Sequence, residues 1–379
     1  MNFQLTEEHL AVQQAARDFA QNELLPGVIE RDTHAKFPEA LQRRMGELGF
    51  MGMMTNPTYN GGGMDTISYV LAMEEISKVD ASASVMVSVN NSLVCWGLEK
   101  NGNEEQKQKY LKRLAGGEVL GAFCLSEPEA GSDATSQRTT AEDRGDHYLL
   151  NGTKNWITNG SSASTYLVMC QTDASKKHKG INCLIVERGM PGFVVGKKED
   201  KMGIRGSDTH SLMFTDVKVP KANRIGEEGF GFTFAMSTLN GGRIGIAAQA
   251  LGIASGAYEL AVKYAKERKA FGKHLAEHQA IQFKLAEMAT KIDAARLLIW
   301  QAAFLKDEKK DFVKAAAMAK LFASQIAQEV TTEAVQIHGG YGYVKEFHVE
   351  RLMRDAKITQ IYEGTTEIQK MVISRELLR

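Results

Sequence analysis

Residues 147–160 read "HYLLNGTKNWITNG". Two Asn-Gly pairs, at 151–152 and 159–160, each stand beside apolar or β-branched residues, which is the local signature of a hairpin turn. The text around them keeps the same texture. "TYLVMCQT" (165–172), "INCLIVE" (181–187), "GFVVG" (192–196) and "HSLMFTDVKV" (210–219) are short and rich in β-branched or aromatic residues. No helical pattern separates them, so residues 121–230 are predicted to form an antiparallel barrel or sandwich and not a parallel Rossmann sheet.

Outward from this block, both flanks change period. In residues 1–120, Leu5, Val12, Ala16 and Phe19 recur at helical spacing; Thr6 can cap that helix, Glu7 and Glu8 occupy its first turn, and Pro26 ends it. "NPTYNGGGMD" (56–65) reads as a loop, and "TISYVLAMEEISKVDASASVMVSV" (66–89) resumes helical patterning. In residues 231–379 all prolines are gone, since all six lie at or before Pro220. Runs such as "GRIGIAAQALGIASGAYELAVKYAKERKAFG" and "KAAAMAKLFASQIAQEVTTEAVQIHGG" suit a four-helix bundle. The order is α, then β, then α.

Lys+Arg and Asp+Glu each total 46, so there is no bulk charge for nucleic acid or an anionic membrane, although a local basic pocket stays open. No run of eighteen apolar residues predicts a membrane span. "MNFQLTEEHL" lacks the pattern of a secretory signal, and its acidity argues against a transit peptide. Cys95, Cys124, Cys170 and Cys183 form no Cys-x-x-Cys pair and read as reduced, buried residues of a cytosol-like compartment.

The familiar chemical motifs are missing. No Gly-x-Gly-x-x-Gly follows a strand, "AFGKH" lacks the upstream glycine of a P-loop, and no Gly-x-Ser-x-Gly elbow occurs. His274 and His278 share a helix face but have no third ligand, so no metal is expected. What remains is a set of loops. "AFCLSEPEAGSDA" (122–134) offers the hydroxyls of Ser126 and Ser132 with free backbone N–H groups. "NWIT" carries Trp156, "ERKAFGKH" (267–274) carries Arg268 at a glycine turn, and "QIHGGYGY" (336–343) ends a helix at Gly339-Gly340. Near the end, "IYEGTTEIQK" (361–370) interrupts a helical pattern: Gly364 is poor helix material and Thr365 suits an N-cap, so Glu363 stands on a break.

The order and spacing of "CLSEPEAGSDA", "NWITNG", "KMGIRGSDTHSLMF", "ERKAFGKHLAEHQAIQFKLAEMA", "QIHGGYGY" and "IYEGTTEIQ" resemble the acyl-CoA dehydrogenase family along essentially the whole chain. "VMVSVNNSL" and "VGKKEDKMGIRGSD" look closest to its short-chain, butyryl-CoA type. The resemblance implies a multidomain α+β subunit: a helical N-terminal domain (1–120), a middle antiparallel β-barrel (121–230) and a C-terminal four-helix bundle (231–379). It implies noncovalent FAD, a homotetramer built as a dimer of dimers, and oxidation of a short-chain acyl-CoA to the trans-2-enoyl-CoA, with electron-transfer flavoprotein as acceptor. The implied compartment is bacterial cytoplasm, or the mitochondrial matrix for a processed eukaryotic chain. Enoyl-CoA reduction or another chain length are the alternatives within the family; a helical scaffold without activity is the non-enzyme reading.

By the same resemblance Glu363 matches the catalytic base. Phe123, Leu125, Ser126, Ser132, Trp156, Ile157 and Thr158 match flavin-side contacts, with Thr158 near N5. Arg268, Phe271 and Gln279 match diphosphate contacts made across a subunit interface, Gln336, Gly339 and Gly340 the adenine end, and Thr365 and Glu367 a further FAD contact. Ser132, Asn240, Arg243 and Gly364 match substrate contacts. Two residues depart from the pattern: Asn240 replaces a common aspartate, and Glu129 a more usual glycine. The chemistry then explains the break. Removing a thioester α-proton needs a base against it and donors for the enolate oxygen. A loop glutamate keeps its own N–H free for that oxygen, and Gly364 allows the chain reversal. Gly242 stands where some long-chain and branched-chain members carry the base, which leaves the role to Glu363. Tyr362 reads as packing.

Overall fold

The computed structural model describes residues 4–379. The N-terminal region is helical: α1 (Glu7–Phe19), α2 (Val28–Thr33), α3 (Glu39–Glu47), α4 (Thr66–Val79), α5 (Ala81–Ser88), α6 (Trp96–Asn101), α7 (Glu104–Gln106) and α8 (Lys112–Ala115). Thr6 caps α1, its side chain accepting from the His9 N–H while the His9 ring reaches back to the Thr6 N–H. The helical path widens into π turns at Ala20–Leu24, before Pro26, and again at Val89–Cys95. Asp80 separates α4 from α5 and caps the latter through the N–H groups of Ser82 and Ala83.

The middle region holds β1 (Leu120–Cys124), β2 (Thr140–Asp143), β3 (His147–Thr158), β4 (Ala163–Gln171), β5 (Ile181–Glu187), β6 (Phe193–Lys198), β7 (Thr209–Pro220) and β8 (Arg224–Ile225). Their order is β6-β7-β3-β2-β4-β5-β8, with β1 added against β4. This corrects the expected antiparallel barrel. Among the described residues no pairing joins β6 to β8, and β1–β4 and β2–β4 run parallel, so the strands form an open mixed sheet.

The two Asn-Gly pairs also differ from expectation. Asn151-Gly152 lies inside the continuous strand β3, at a register shift opposite β7. Gly152 is there for closeness: a Cβ would stand 2.6 Å from the Thr139 hydroxyl oxygen. Asn151 meanwhile pairs with Asp216, accepting its N–H at 2.8 Å. Asn159-Gly160 does turn the chain, but β3 and β4 are separated by β2, so they are not hairpin partners. The tight hairpin joins β2 to β3, where the Arg144 N–H donates to the His147 carbonyl and Asp143 accepts from the Gly145 N–H.

The C-terminal region comprises α9 (Gly231–Glu267), α10 (Gln279–Asp307), α11 (Val313–His338), α12 (His348–Ile358) and α13 (Thr366–Leu377). Its three long helices are joined by two shorter ones, a more elaborate arrangement than the four expected. The helix α9 is long and apolar enough to cross a membrane by composition, but 83% of its apolar window is buried in the protein, as befits a core helix. The helix α4 packs directly on it: a Cβ on Gly252 would fall 2.4 Å from the Glu74 carbonyl oxygen. Asp307 of α10 caps α4 through the Thr66 N–H at 2.9 Å, and Arg296 pairs with buried Glu74 at 2.8 Å. The two helical regions therefore share one core around α9, and the sheet is attached to it, in part, where Phe123 of β1 stacks on Phe234 of α9.

Candidate active site

The break between α12 and α13 is a built turn. Thr365 caps α13, accepting from the Ile368 N–H at 3.4 Å. Glu363 (φ 51°) and Gly364 (φ 92°) both lie in the left-handed region, a conformation glycine adopts freely and glutamate only under constraint. The constraint is visible. The Gln369 amide donates to the Gly364 carbonyl at 2.8 Å and to the Glu363 carbonyl at 3.3 Å, and the Lys320 ammonium on α11 donates to the same Gly364 carbonyl at 2.5 Å. Among the described residues the Glu363 N–H has no acceptor, so it is free for an oxygen from outside the chain.

The Glu363 side chain is unusual in its surroundings. The residue as a whole is half-buried, yet its Oε2 oxygen is closed to solvent and has no hydrogen-bond partner. It lies against the backbone of α9, where a Cβ on Gly242 would stand 2.1 Å from Oε2 and 2.8 Å from Leu93 Cδ2. Only glycine leaves room for this carboxylate. Loss of water raises the Glu363 pKa to about 7, with Lys320 and Arg243 pulling against that rise. Lys320 is fully buried; burial lowers its pKa while Glu363 pulls it back up, so each of the two favours the charged form of the other. Arg243 donates to Asn240 Oδ1 at 2.6 Å while its Nε stays buried without a partner. Asn240 thus supplies a neutral acceptor where an aspartate would have compensated the guanidinium, and burial lowers the Arg243 pKa to about 10. Next along α9, a Cβ on Gly245 would meet the Tyr69 hydroxyl oxygen at 2.5 Å, and Tyr69 in turn donates to Ser88 at 3.2 Å. Tyr362 packs with its hydroxyl on Gln249, in keeping with its structural reading.

The loop after β1 is fixed from beneath. Lys154 and Glu127, both buried, pair at 2.7 Å, and the ammonium also donates to the Leu125 carbonyl at 3.1 Å. Glu127 accepts from the N–H groups of Arg138 and Thr139, and the Asn155 N–H donates to the Ser126 carbonyl at 2.9 Å. These bonds hold Ser126 beside the segment of β3 that carries Trp156 and Thr158. Trp156 sits at a bulge with φ 60°, which turns its ring outward; it is 62% exposed, unusual for a tryptophan in a strand. Its exposed flat ring and the half-buried Thr158 fit an isoalloxazine face. Ile157 points into the core, so only its main chain can serve. Phe123 and Leu125 are partly buried against the core, and Ser132 is exposed on the loop. Glu129 pairs with Arg138 at 2.6 Å on the surface, which neutralises the charge that replaces the usual glycine.

A second patch gathers Arg268, Phe271, Gln279, Gln336, Gly339 and Gly340. Arg268 lies over the Tyr341 ring at 5.5 Å, and Phe271 is 97% exposed beside His278. Gln279 begins α10, Gln336 lies in the last turn of α11, and around Gly339 and Gly340 there is open space. Arg268 follows the end of α9, whose rise of about 1.5 Å per residue puts it roughly 39 Å from Gly242. The structure therefore places the expected residues in three groups, one of them Phe123, Leu125, Ser126, Ser132, Trp156, Ile157 and Thr158 on the β1 loop and β3. Glu363, Gly364, Asn240 and Arg243 come together, with Thr365 beside them and Glu367 exposed in the first turn of α13; the Arg268 patch stands apart. Sequence reasoning passed over Lys320, Gln369, Tyr69 and the Lys154–Glu127 pair. A lone lysine in the alanine-rich "AAAMAKLFA" was the available signal for Lys320.

Comparison with known proteins gives the family. Family profiles described as Acyl-CoA dehydrogenase, N-terminal, middle and C-terminal domain, match residues 6–118, 122–217 and 229–378. The chain is 50% identical over 379 residues to the short-chain specific acyl-CoA dehydrogenase of Clostridium acetobutylicum, covering 100% of both. It superposes on butyryl-CoA dehydrogenase from Megasphaera elsdenii with a TM-score of 0.99 and 50% identity, covering 100% of both chains. A chain in a structure described as the electron transferring flavoprotein of Acidaminococcus fermentans gives a TM-score of 0.99 and 54% identity, again with 100% of both covered. The chain belongs to the acyl-CoA dehydrogenase family.

Proposed function

We propose that this protein is an FAD-dependent acyl-CoA dehydrogenase that oxidises short-chain acyl-CoA thioesters to trans-2-enoyl-CoA, with Glu363 as the base. The observation that carries the assignment of the base is the Glu363 carboxylate: desolvated, unpartnered, at a pKa of about 7, on a turn whose N–H is free. A general base works best when its pKa lies near the working pH. Glu363 takes the α-proton onto its carboxylate, and its N–H donates to the thioester oxygen as negative charge gathers there. Arg243, with an unpartnered Nε, and Asn240 orient the CoA side of the substrate. Leu93 and Tyr69 bound the space beside Gly242 and Gly245, which suits a short acyl chain. Bound FAD supplies the acceptor for the β-hydride. Trp156, Thr158, Ser126, Ser132, Thr365 and Glu367 would hold its ring and ribityl side.

Electron-transfer flavoprotein is the partner that removes the electrons. The Arg268, Phe271, Gln279 and Gln336–Gly340 patch would hold the diphosphate and adenine of FAD belonging to a second copy, since it is too distant from Glu363 to share one bound molecule with it. That arrangement, with the exposed Phe271 and Tyr343 needing cover, supports a homotetramer. The proposal includes three domains with boundaries near 120 and 230. Four free, buried cysteines suit a reducing compartment such as bacterial cytoplasm or the mitochondrial matrix. The test is anaerobic mixing of the flavin-loaded protein with butyryl-, hexanoyl-, octanoyl- and palmitoyl-CoA. Fastest bleaching by butyryl-CoA supports the proposal; no bleaching by any acyl-CoA overturns it.

A further inference from the structure

Lys320 is the buried charge that the family reading does not use. It sits in the first third of α11, among buried alanines with Ser324 one turn further on, and is fully buried. Placing an ammonium there costs free energy unless it is paired. Its ammonium donates to the Gly364 carbonyl at 2.5 Å. That carbonyl already has a neutral donor, the Gln369 amide at 2.8 Å. A second donor is therefore not needed to satisfy the carbonyl, and a charged one is the costly choice. What the ammonium adds is its charge, delivered to the turn on which Glu363 stands.

We propose that Lys320 is a positioning residue for the base: tied to the Gly364 carbonyl, its ammonium fixes the turn that carries Glu363 and supplies the positive charge that favours the carboxylate form. The inference rests on Glu363 being the base. The groups facing the carboxylate can be named from each packed element. Lys320 comes from α11, Arg243 from α9, the neutral hydroxyl of Tyr69 from α4, and that of Tyr362 from the turn itself. Lys320 is faced in turn by Glu363, Arg243 and Glu367, and Arg243 by Arg375 of α13. Of the two cations, Lys320 exerts the larger pull on Glu363.

The test compares Lys320→Gln, which keeps a donor and loses the charge, with Lys320→Arg, which keeps the charge. The first readout needs no substrate: an infrared titration of the protonated Glu363 carboxyl, identified as the band missing from Glu363→Gln. The second is the pH dependence of flavin reduction by butyryl-CoA in a single turnover. Lys320→Gln should move both midpoints upward by about one pH unit or more, the effect of losing a nearby opposite charge. Lys320→Arg should stay near wild type. If Lys320→Gln does not fold, Lys320→Met fills the same volume without a buried amide and takes its place. A charge-free variant that titrates with the wild-type midpoint overturns the proposal, and so do equal shifts in the glutamine and arginine variants. Failure of the wild type to reduce its flavin would count against the proposed function alone, because the infrared midpoint is read without the reaction.

Discussion

Moving the base from the turn to α9 probes the geometry most severely. In the double variant Glu363→Gly with Gly242→Glu, the Cβ at position 242 enters space that the Glu363 carboxylate vacates, since it would lie 2.1 Å from Oε2 and 3.1 Å from Cδ. The new carboxyl carbon lies two C–C bonds beyond that Cβ, about 2.5 Å further on. It must fold back to meet the same α-carbon, and Leu93 Cδ2, 2.8 Å from the new Cβ, must rotate aside. A misplacement of about 1 Å costs roughly 10²-fold, so the double variant should exceed Glu363→Gly yet stay about 10²-fold below wild type. The helix tolerates the change, because glutamate is the better helix former. The new side chain also takes acyl-pocket volume, so the chain-length optimum should shift. The assay is rapid-mixing flavin reduction with butyryl-, hexanoyl- and octanoyl-CoA. A folded, flavin-loaded double variant no faster than Glu363→Gly with every substrate would refute the placement of Gly242 against the α-carbon.

Three further outcomes are expected. Because burial raises the Glu363 pKa to about 7 and only the ionised form accepts a proton, the flavin reduction rate should climb through about pH 7 to a plateau above it; a profile flat from about pH 5 to 9 contradicts this. Lys154→Met leaves Glu127 buried without its cation and should cost about 3–5 kcal/mol in denaturant unfolding, with loosened FAD; a loss below about 1 kcal/mol would show that the pair does not hold the loop. Arg268→Ala should weaken FAD retention through loss of a charge-assisted diphosphate contact, measured by flavin release on dilution; unchanged retention and oligomeric state would remove Arg268 from the site.

Many of the local elements are legible in the sequence alone. The helix cap at Thr6, the loop at 56–65, the strands at 165–172, 181–187 and 210–219, and the restart at Thr365 are all local signals, and the structure carries them. The sheet's parallel pairings were not readable, because β1 meets β4 across about forty residues and nothing in either strand marks its partner. Asn151-Gly152 misled for a similar reason: the glycine answers to the approach of Thr139, a tertiary fact, and not to a turn. In the site, the break at Glu363-Gly364 was legible from the glycine, while the role given to Glu363 came from the resemblance. Lys320 and Lys154 were not legible, since a lysine in a sequence gives no sign of being buried. Asn240 and Glu129 stood out as departures, but their partners, Arg243 and Arg138, emerged only with the fold.

The central claim is that Glu363 removes the α-proton. Glu363→Gln keeps the shape of the side chain and its turn but cannot accept that proton at neutral pH. Rapid mixing of this variant, loaded with FAD and saturated with butyryl-CoA, should show substrate binding with flavin reduction slowed by at least ~10²–10⁴-fold. Reduction at close to the wild-type rate would contradict the account, because the α-proton would then be leaving to some other group.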